Sequence, residues 1–175
     1  MIKNYSFFRN VLLNIPFVIC MFVLVLFSGC YSFTGGTVPE YLKTMYIPPV
    51  NDKSGYGNPN YREELNQLLV DKFRNDNTFE LVDKGGDARL TVSIISIRDM
   101  TLTVNPGELE KERKIEISCQ VEYYDAVKKK VIFDKSFSSF GVYNIANAQT
   151  ERDQALNKAI DQISDDIMLA VVSGW

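Results

Sequence analysis

The sequence predicts an α+β two-layer sandwich, with two helices on one face of a mostly antiparallel four- to five-stranded sheet. Apolar residues recur at helical spacing in two stretches, 61–73 and 156–171. Between them, residues 115–124 alternate between apolar and mostly polar side chains, which is typical of an antiparallel sheet covered on one side only. Because each helix has one apolar stripe and the sheet offers one apolar face, both helices should pack on that face.

The first predicted elements are a strand, a loop and a helix. Residues 44–50 favour a strand, and Pro48-Pro49 restricts it to an edge or an end of the sheet because proline donates no backbone hydrogen bond. A loop rich in Gly and Asn follows at 51–58. Asn58-Pro59 combines an N-cap residue with proline at the first helical position. We therefore expect the helix to begin there and to end at 75–77.

The middle of the chain is predicted to be rich in strands. In the long strand expected at 89–104, the apolar phase slips through Ile95 and Ile97, which indicates a β-bulge. The other expected elements are a short strand at 79–82, a tight turn at 84–87, a turn at 105–107, strands at 115–124 and 131–143, and the turn between these two at 125–130.

A long helix is predicted near the end of the chain. Residues 150–153 resemble a capping box with Asp in place of the usual Glu, and Ser173-Gly174 resembles a C-cap. The outer face of this helix should simply be solvated; it carries Asp161, Gln162, Asp165 and Asp166.

The start of the chain has the layout of a secretory signal. Lys3 and Arg9 precede the apolar stretch 11–27, which is followed by the small residues Ser28-Gly29 and then by Cys30. This order resembles a bacterial lipoprotein signal, with Phe27 at the position usually held by Leu. It predicts cleavage before Cys30 and a lipid on the Cys30 thiol.

An uncleaved membrane anchor is the alternative, because about 18 to 20 apolar residues are enough to span a bilayer. Asn14 and Pro16 interrupt the apolar run, and an anchor needs no Gly-Cys at its end. Lipidation is therefore the preferred interpretation. It divides the chain into a signal peptide at 1–29, a lipidated tether at 30–42 and a single α+β domain at 43–175.

Composition excludes several classes of function. The signal removes only Lys3 and Arg9 from the 19 basic residues and none of the 22 acidic ones, which leaves 17 against 22 and a net charge of −5. Nucleic-acid binders usually show the opposite balance. The sequence has no His, so a Ser-His-Asp triad, a Cys-His pair and an imidazole metal site are excluded.

We therefore expect a protein that is not an enzyme, with no cofactor, no metal and no nucleic-acid partner. Cys119 lies at an apolar position of the alternating strand, where a small buried hydrophobe is the more common role than a reactive thiol. A hydrolase that uses carboxylates remains as an alternative, although no spacing of acidic residues selects a pair.

With these elements placed, the chain resembles the lipopolysaccharide-assembly lipoprotein family (the LptE family), in the divergent form found in relatives of Bacteroides. The resemblance covers nearly the whole mature chain, and its motifs are structural. The residues that carry it are Gly29-Cys30-Tyr31-Ser32-Phe33, Gly35-Gly36, the segment 46–55, Arg62-Glu63-Glu64-Leu65, and the stretches 163–167 and 171–175.

The resemblance implies an outer-membrane lipoprotein that sits as a plug within a large β-barrel (LptD-like) and helps to deliver lipopolysaccharide. Binding, and not turnover, would then be its mechanism. It would face the periplasm or lie within the barrel lumen, where a polar sheet face is suitable. The alternative is a generic envelope lipoprotein that scaffolds another cell-envelope complex and shares only the fold.

A basic turn supplies the candidate lipopolysaccharide-binding residues. Lys128, Lys129 and Lys130 lie in one predicted hairpin turn, and an antiparallel pairing would bring Arg89, at the start of the preceding strand, close to them. Such cations pair with phosphates, Arg bidentately. The alternative is a solubilising turn, because a run of charges is usually just solvated. Lys111, Arg113 and Lys114 are a poorer candidate, since Glu residues between and before them cancel their charge.

Overall fold

The computed structural model describes residues 38–102 and 111–173. The predicted signal, Cys30, most of the tether and the predicted turn at 105–107 lie outside the described residues. Within them, neither helix carries an apolar stretch long enough to cross a membrane.

Two long helices and six strands make up the described fold. In chain order they are β1 (Thr44–Tyr46), β2 (Asn51–Asp52), α1 (Pro59–Asp76), β3 (Glu80–Leu81), β4 (Ala88–Thr101), β5 (Glu112–Asp125), β6 (Lys130–Asn144), a short 3-10 helix (Ile145–Asn147) and α2 (Ala148–Val172).

The strands form one mixed sheet in the order β3-β1-β4-β5-β6, with β2 pairing with β4 beyond β1. The β4-β5 and β5-β6 pairs are antiparallel, whereas β1 runs parallel to both β3 and β4. The α+β prediction is confirmed, but the expected mostly antiparallel sheet of four to five strands is wrong. Parallel pairing arises because α1 returns the chain to lay β3 beside β1 in the same direction.

The predicted first strand at 44–50 is shorter than expected, because β1 ends at Tyr46 and β2 begins only at Asn51. β1 and β2 both pair with β4, through Met45 opposite Ala88 and Asn51 opposite Ser93. Pro48-Pro49 separates them, since proline cannot donate to a ladder. The predicted loop at 51–58 thus begins with a short strand.

The predicted bulge in the long strand is confirmed. Ile94 lies opposite Cys119 and Ser96 opposite Ser118, so Ile95 is the extra residue. Ile95 is exposed, whereas Ile94 and Ile97 are buried. The bulge therefore restores the apolar side of β4 to the core after the phase slip.

The ends of α1 follow the prediction. The Asn58 side chain accepts a hydrogen bond from Asn60 N at 3.1 Å, and Pro59 is the first helical residue. Asn77 ends the helix in the left-handed conformation, with φ at 57°, which Asn tolerates better than most residues.

The predicted capping box of the last helix is wrong. α2 begins at Ala148, and Asn147 caps it without a side-chain hydrogen bond. The Glu151 carboxylate instead accepts hydrogen bonds from Asn144 N at 3.0 Å and from Asn147 Nδ2 at 2.8 Å. The Glu151 carboxylate, in the first turn of α2, thus accepts hydrogen bonds from residues just before the helix. The helix dipole favours negative charge at this end.

Both helices bury their apolar stripes in one core with the inner face of the sheet. α2 lies against β5, β6 and α1. At its closest approach to the sheet, a Cβ atom built on Gly141 would lie 2.0 Å from the Ala155 carbonyl oxygen. This contact requires glycine on β6.

The acidic face of α2 is not simply solvated. Lys72 of α1 pairs with Asp161 at 2.9 Å and with Asp165 at 2.6 Å. Tyr61 of α1 donates a hydrogen bond to Asp153 at 2.7 Å. All three contacts join the two helices, and Asp161 and Asp165 belong to the face that was predicted to be solvated.

Candidate functional site

The turn between β5 and β6 carries the three predicted lysines. We call residues 126–132 the hairpin tip. Lys128 and Lys129 lie in the turn, Lys130 begins β6, and all three are exposed. The turn is tight enough to hold Lys129 in the left-handed region, with φ at 54°.

A buried carboxylate organises the hairpin tip. Asp125 is only 3% exposed and accepts hydrogen bonds from Lys128 N at 2.7 Å and from the Tyr41 hydroxyl at 2.6 Å. Burial alone would raise the pKa of Asp125, but these hydrogen bonds hold that pKa below its usual value. Ala126 N also donates to Asp87 O at 2.8 Å. The tip is therefore fixed to both the tether end and the start of β4.

Lys128 and Arg89 are held by different partners. Lys128 Nζ lies 4.2 Å from the centre of the Tyr41 ring. The Arg89 guanidinium lies 4.9 Å from the centre of the Tyr124 ring, and its Nη2 is 3.3 Å from Glu122 Oε1. The expected approach of β4 to the hairpin end is confirmed, because Ala88 lies opposite Asp125. The side chain of Arg89, however, lies with Tyr124 on the sheet face away from the helices.

The centre of that outer sheet face is polar, as expected. Ser118 and Ser138 share a hydrogen bond of 2.8 Å. One row further, Gln120 donates to Asp134 at 2.5 Å and accepts from Ser136 at 2.6 Å. Hydroxyl, amide and carboxylate groups thus form two hydrogen-bonded groups side by side across β5 and β6.

One end of the outer face is apolar, which sequence reasoning did not anticipate. Phe140 and Val142 of β6 are 52% and 46% exposed. Lys114 Nζ lies 5.3 Å from the centre of the Phe140 ring and 3.2 Å from Glu116. Aromatic side chains are enriched at protein-binding surfaces.

A polar cluster at the end of β4 was also missed. Asp99 accepts hydrogen bonds from the Tyr143 hydroxyl at 2.8 Å and from Arg152 Nε at 2.9 Å, and it pairs with Arg113 at 3.3 Å. Arg152 also donates to the Tyr56 hydroxyl. The cluster joins β4, β5, β6, α2 and the loop before α1.

The bulge provides a sequence signal for this cluster. Once Ile95 is the extra residue, Ile97 and Asp99 share the inner face of β4. A charged residue on an inner face needs a partner. Arg113 lies two residues before the inward-facing Ile115 and could have been predicted as the cation that pairs with Asp99. The glutamates beside it had only made it a poor candidate for binding lipopolysaccharide.

Cys119 is the one cysteine among the described residues. Cys119 is fully buried, and this burial raises the pKa of its thiol to about 12, so the prediction of a small buried hydrophobe is confirmed. Within residues 38–102 and 111–173, no three Asp, Glu or Cys side chains lie close enough together to hold a metal ion.

The model of the lipopolysaccharide-assembly family LptE matches residues 42–171. The chain belongs to the LptE family. The match begins at Leu42, two residues before β1, and ends at Val171, one residue before the end of α2. It therefore includes every strand and both helices described above. A search of curated proteins found no match.

Solved structures share the LptE-like fold at low sequence identity. The rare lipoprotein B from Shewanella oneidensis is 16% identical, with a TM-score of 0.55 over 75% of this chain and 95% of that chain. A minor lipoprotein from Acinetobacter baumannii is 10% identical, with a TM-score of 0.54 over 76% and 94%. The hypothetical protein CT253 from Chlamydia trachomatis is 12% identical, with a TM-score of 0.58 over 76% and 96%.

Proposed function

We propose that this LptE-family chain is a lipid-anchored outer-membrane protein that binds a large LptD-like β-barrel and assists lipopolysaccharide transport and assembly. The match of the family model over residues 42–171 carries the proposal. The lipid anchor would be on Cys30. The role is that of a non-enzymatic plug or chaperone, which agrees with a chain that has no His.

The outer sheet face supports the choice of a barrel as partner. Barrel interiors are polar, and the centre of this face presents the hydrogen-bonded groups of Ser118, Ser138, Gln120 and Asp134. Phe140 and Val142 extend the surface at one end. Specific protein interfaces commonly combine polar groups with an aromatic side chain that is buried on binding.

The lysines of the hairpin tip are the candidate contacts for lipopolysaccharide phosphates. Lys129 and Lys130 are exposed and have no acidic neighbour in residues 126–132. Arg89 is the fourth candidate, and it would exchange Glu122 for a phosphate. Because the Arg89–Glu122 pair is well exposed, breaking it costs at most about 1 kcal/mol.

Purification of the tagged protein in mild detergent tests the barrel. We expect a large outer-membrane β-barrel to copurify in near-equal amount, as mass spectrometry would show. Replacing Phe140 and Val142 with Ser should release the barrel, while the exposed Leu169→Ser on α2 serves as the control. The barrel must be shown to be present in the membranes and solubilised by the detergent. If the tagged protein is then recovered without it, the proposal is contradicted, and a scaffold for another envelope complex is favoured.

Charge reversal at the hairpin tip tests the lipopolysaccharide contact. The triple variant K128E/K129E/K130E should bind purified lipopolysaccharide at least tenfold more weakly at low salt, because each reversal turns an attraction into a repulsion. The control is the triple variant K53E/K111E/K158E, which changes three exposed lysines elsewhere. Its net charge equals that of the hairpin-tip variant. Equal affinity of both variants at matched salt would remove the hairpin tip as the binding site.

A further inference from the structure

We infer that the hairpin tip seats on the surface of the phospholipid leaflet that carries the lipid anchor. This inference rests on the lipoprotein assignment, and it requires neither lipopolysaccharide binding nor a barrel. The hairpin tip is an exposed apolar and basic surface that does not contribute to the core, and its proposed binding partner is the phospholipid leaflet.

The hairpin tip is one of two segments in which exposed apolar side chains cluster, the other being 140–145 with Phe140, Val142 and Ile145. The described residues expose nine large hydrophobic side chains, and three of them lie in this seven-residue segment. Val127 is 55% exposed, and Val131 and Ile132 are each 42% exposed. Ile132 is the extra residue of a second bulge, since Val131 lies opposite Tyr124 and Phe133 opposite Tyr123. Tyr41, also exposed, lies against the tip.

The charge of the tip is complementary to an anionic membrane. Residues 126–132 contain three lysines and no acidic residue, in a chain of net negative charge. Basic residues beside a bilayer are attracted to anionic headgroups, and lysine can keep its ammonium group at the headgroups while neighbouring apolar side chains go deeper.

The chain enters the domain at the same place. Tyr41 donates a hydrogen bond to Asp125 and lies under Lys128. Ten residues lie between Cys30 and Tyr41, and the chain from one to the other spans at most about 40 Å. A lipid on Cys30 therefore keeps the tip within that distance of the membrane.

The tip is also held in one conformation before it meets a membrane. Asp125 fixes the turn through Lys128 N and Tyr41, and Ala126 N binds Asp87 O. A surface that is already ordered loses little conformational entropy when it binds. Burial of the small apolar area of the two valines and Ile132, together with the attraction of the lysines to the headgroups, should therefore be enough to bind the tip to the membrane.

Depth measurements in vesicles test the inference on the mature lipidated protein. An environment-sensitive dye is attached at Val127→Cys, and in a second preparation at Leu169→Cys, which is equally exposed at 59% on α2. Cys119 does not react because it is buried. The vesicles contain phosphatidylcholine with or without phosphatidylglycerol, brominated lipids as quenchers and no lipopolysaccharide.

We expect dye at position 127 to be quenched several-fold more strongly than dye at 169, and more so with phosphatidylglycerol. K128E/K129E/K130E and V131S/I132S should each reduce the quenching at 127. Equal quenching at 127 and 169, or quenching at 127 that neither variant changes, would overturn the inference. V131S/I132S keeps all three lysines, so lipopolysaccharide binding that persists in it separates membrane seating from the proposed transport function.

Discussion

Gly141→Ala is expected to destabilise the domain by about 3 kcal/mol. The new Cβ would lie 2.0 Å from the Ala155 carbonyl oxygen and 2.5 Å from the Ala155 carbonyl carbon. These are backbone atoms of α2, so no rotamer change relieves the clash, and the helix must move away from β6. The melting temperature measured by circular dichroism should fall by about 10 °C.

Gly85→Ala is the control for this prediction. Gly85 has a positive φ of 68° but no atom within 4 Å of a built Cβ, so its alanine variant carries backbone strain without a clash. That strain costs about 1 kcal/mol. A Gly141 variant no less stable than the Gly85 variant would mean that α2 does not lie as closely on β6 as described.

The elements that sequence predicted well are those with local signals. The Asn58-Pro59 start of α1 depends on two adjacent residues, and the bulge at Ile95 depends on a phase slip within one strand. The outer polarity of β5 follows from alternation within a single segment. Each of these signals can be read without knowing what the element packs against.

The elements that sequence missed depend on distant partners. β1, β2 and β3 contain two or three residues each, too few for a pattern that fixes direction or neighbours. Their parallel pairing follows only after α1 has been placed on the sheet. The start of α2 was predicted too late because Glu151, within the helix, binds the donors that a preceding side chain usually satisfies.

The candidate site was predicted in part for the same reason. The hairpin tip could be located because three consecutive lysines mark one turn. Arg89 lies over Tyr124 and not beside Lys128. This position depends on strand register, because the register decides which face of the sheet each side chain occupies. Phe140 and Val142 could not be assigned to the outer face without the register of β6 on β5.

Asp99→Ala should cost about 3 kcal/mol of unfolding free energy, because it removes the acceptor at the centre of a partly buried ionic cluster. The Asp99 side chain is 18% exposed. Its carboxylate raises the pKa of Arg152 above its already high value, chiefly through their hydrogen bond. Without it, the Arg152 guanidinium and the Tyr143 hydroxyl lose a shared acceptor at the junction of β4, β6 and α2. Urea unfolding should show a lower midpoint with an unchanged slope.

Two comparison variants make this prediction specific to the cluster. Asp134→Ala removes a carboxylate on the exposed outer face, where its hydrogen bond to Gln120 is solvated, and it should change stability by no more than about 0.5 kcal/mol. Arg152→Met should lose part of its own cost when Asp99 is already Ala, because their shared hydrogen bond is then already gone and only the contact with Tyr56 remains to be lost. If the losses of the two single variants simply add, the pair is not coupled, and the loop before α1 is held by contacts other than the Asp99 cluster.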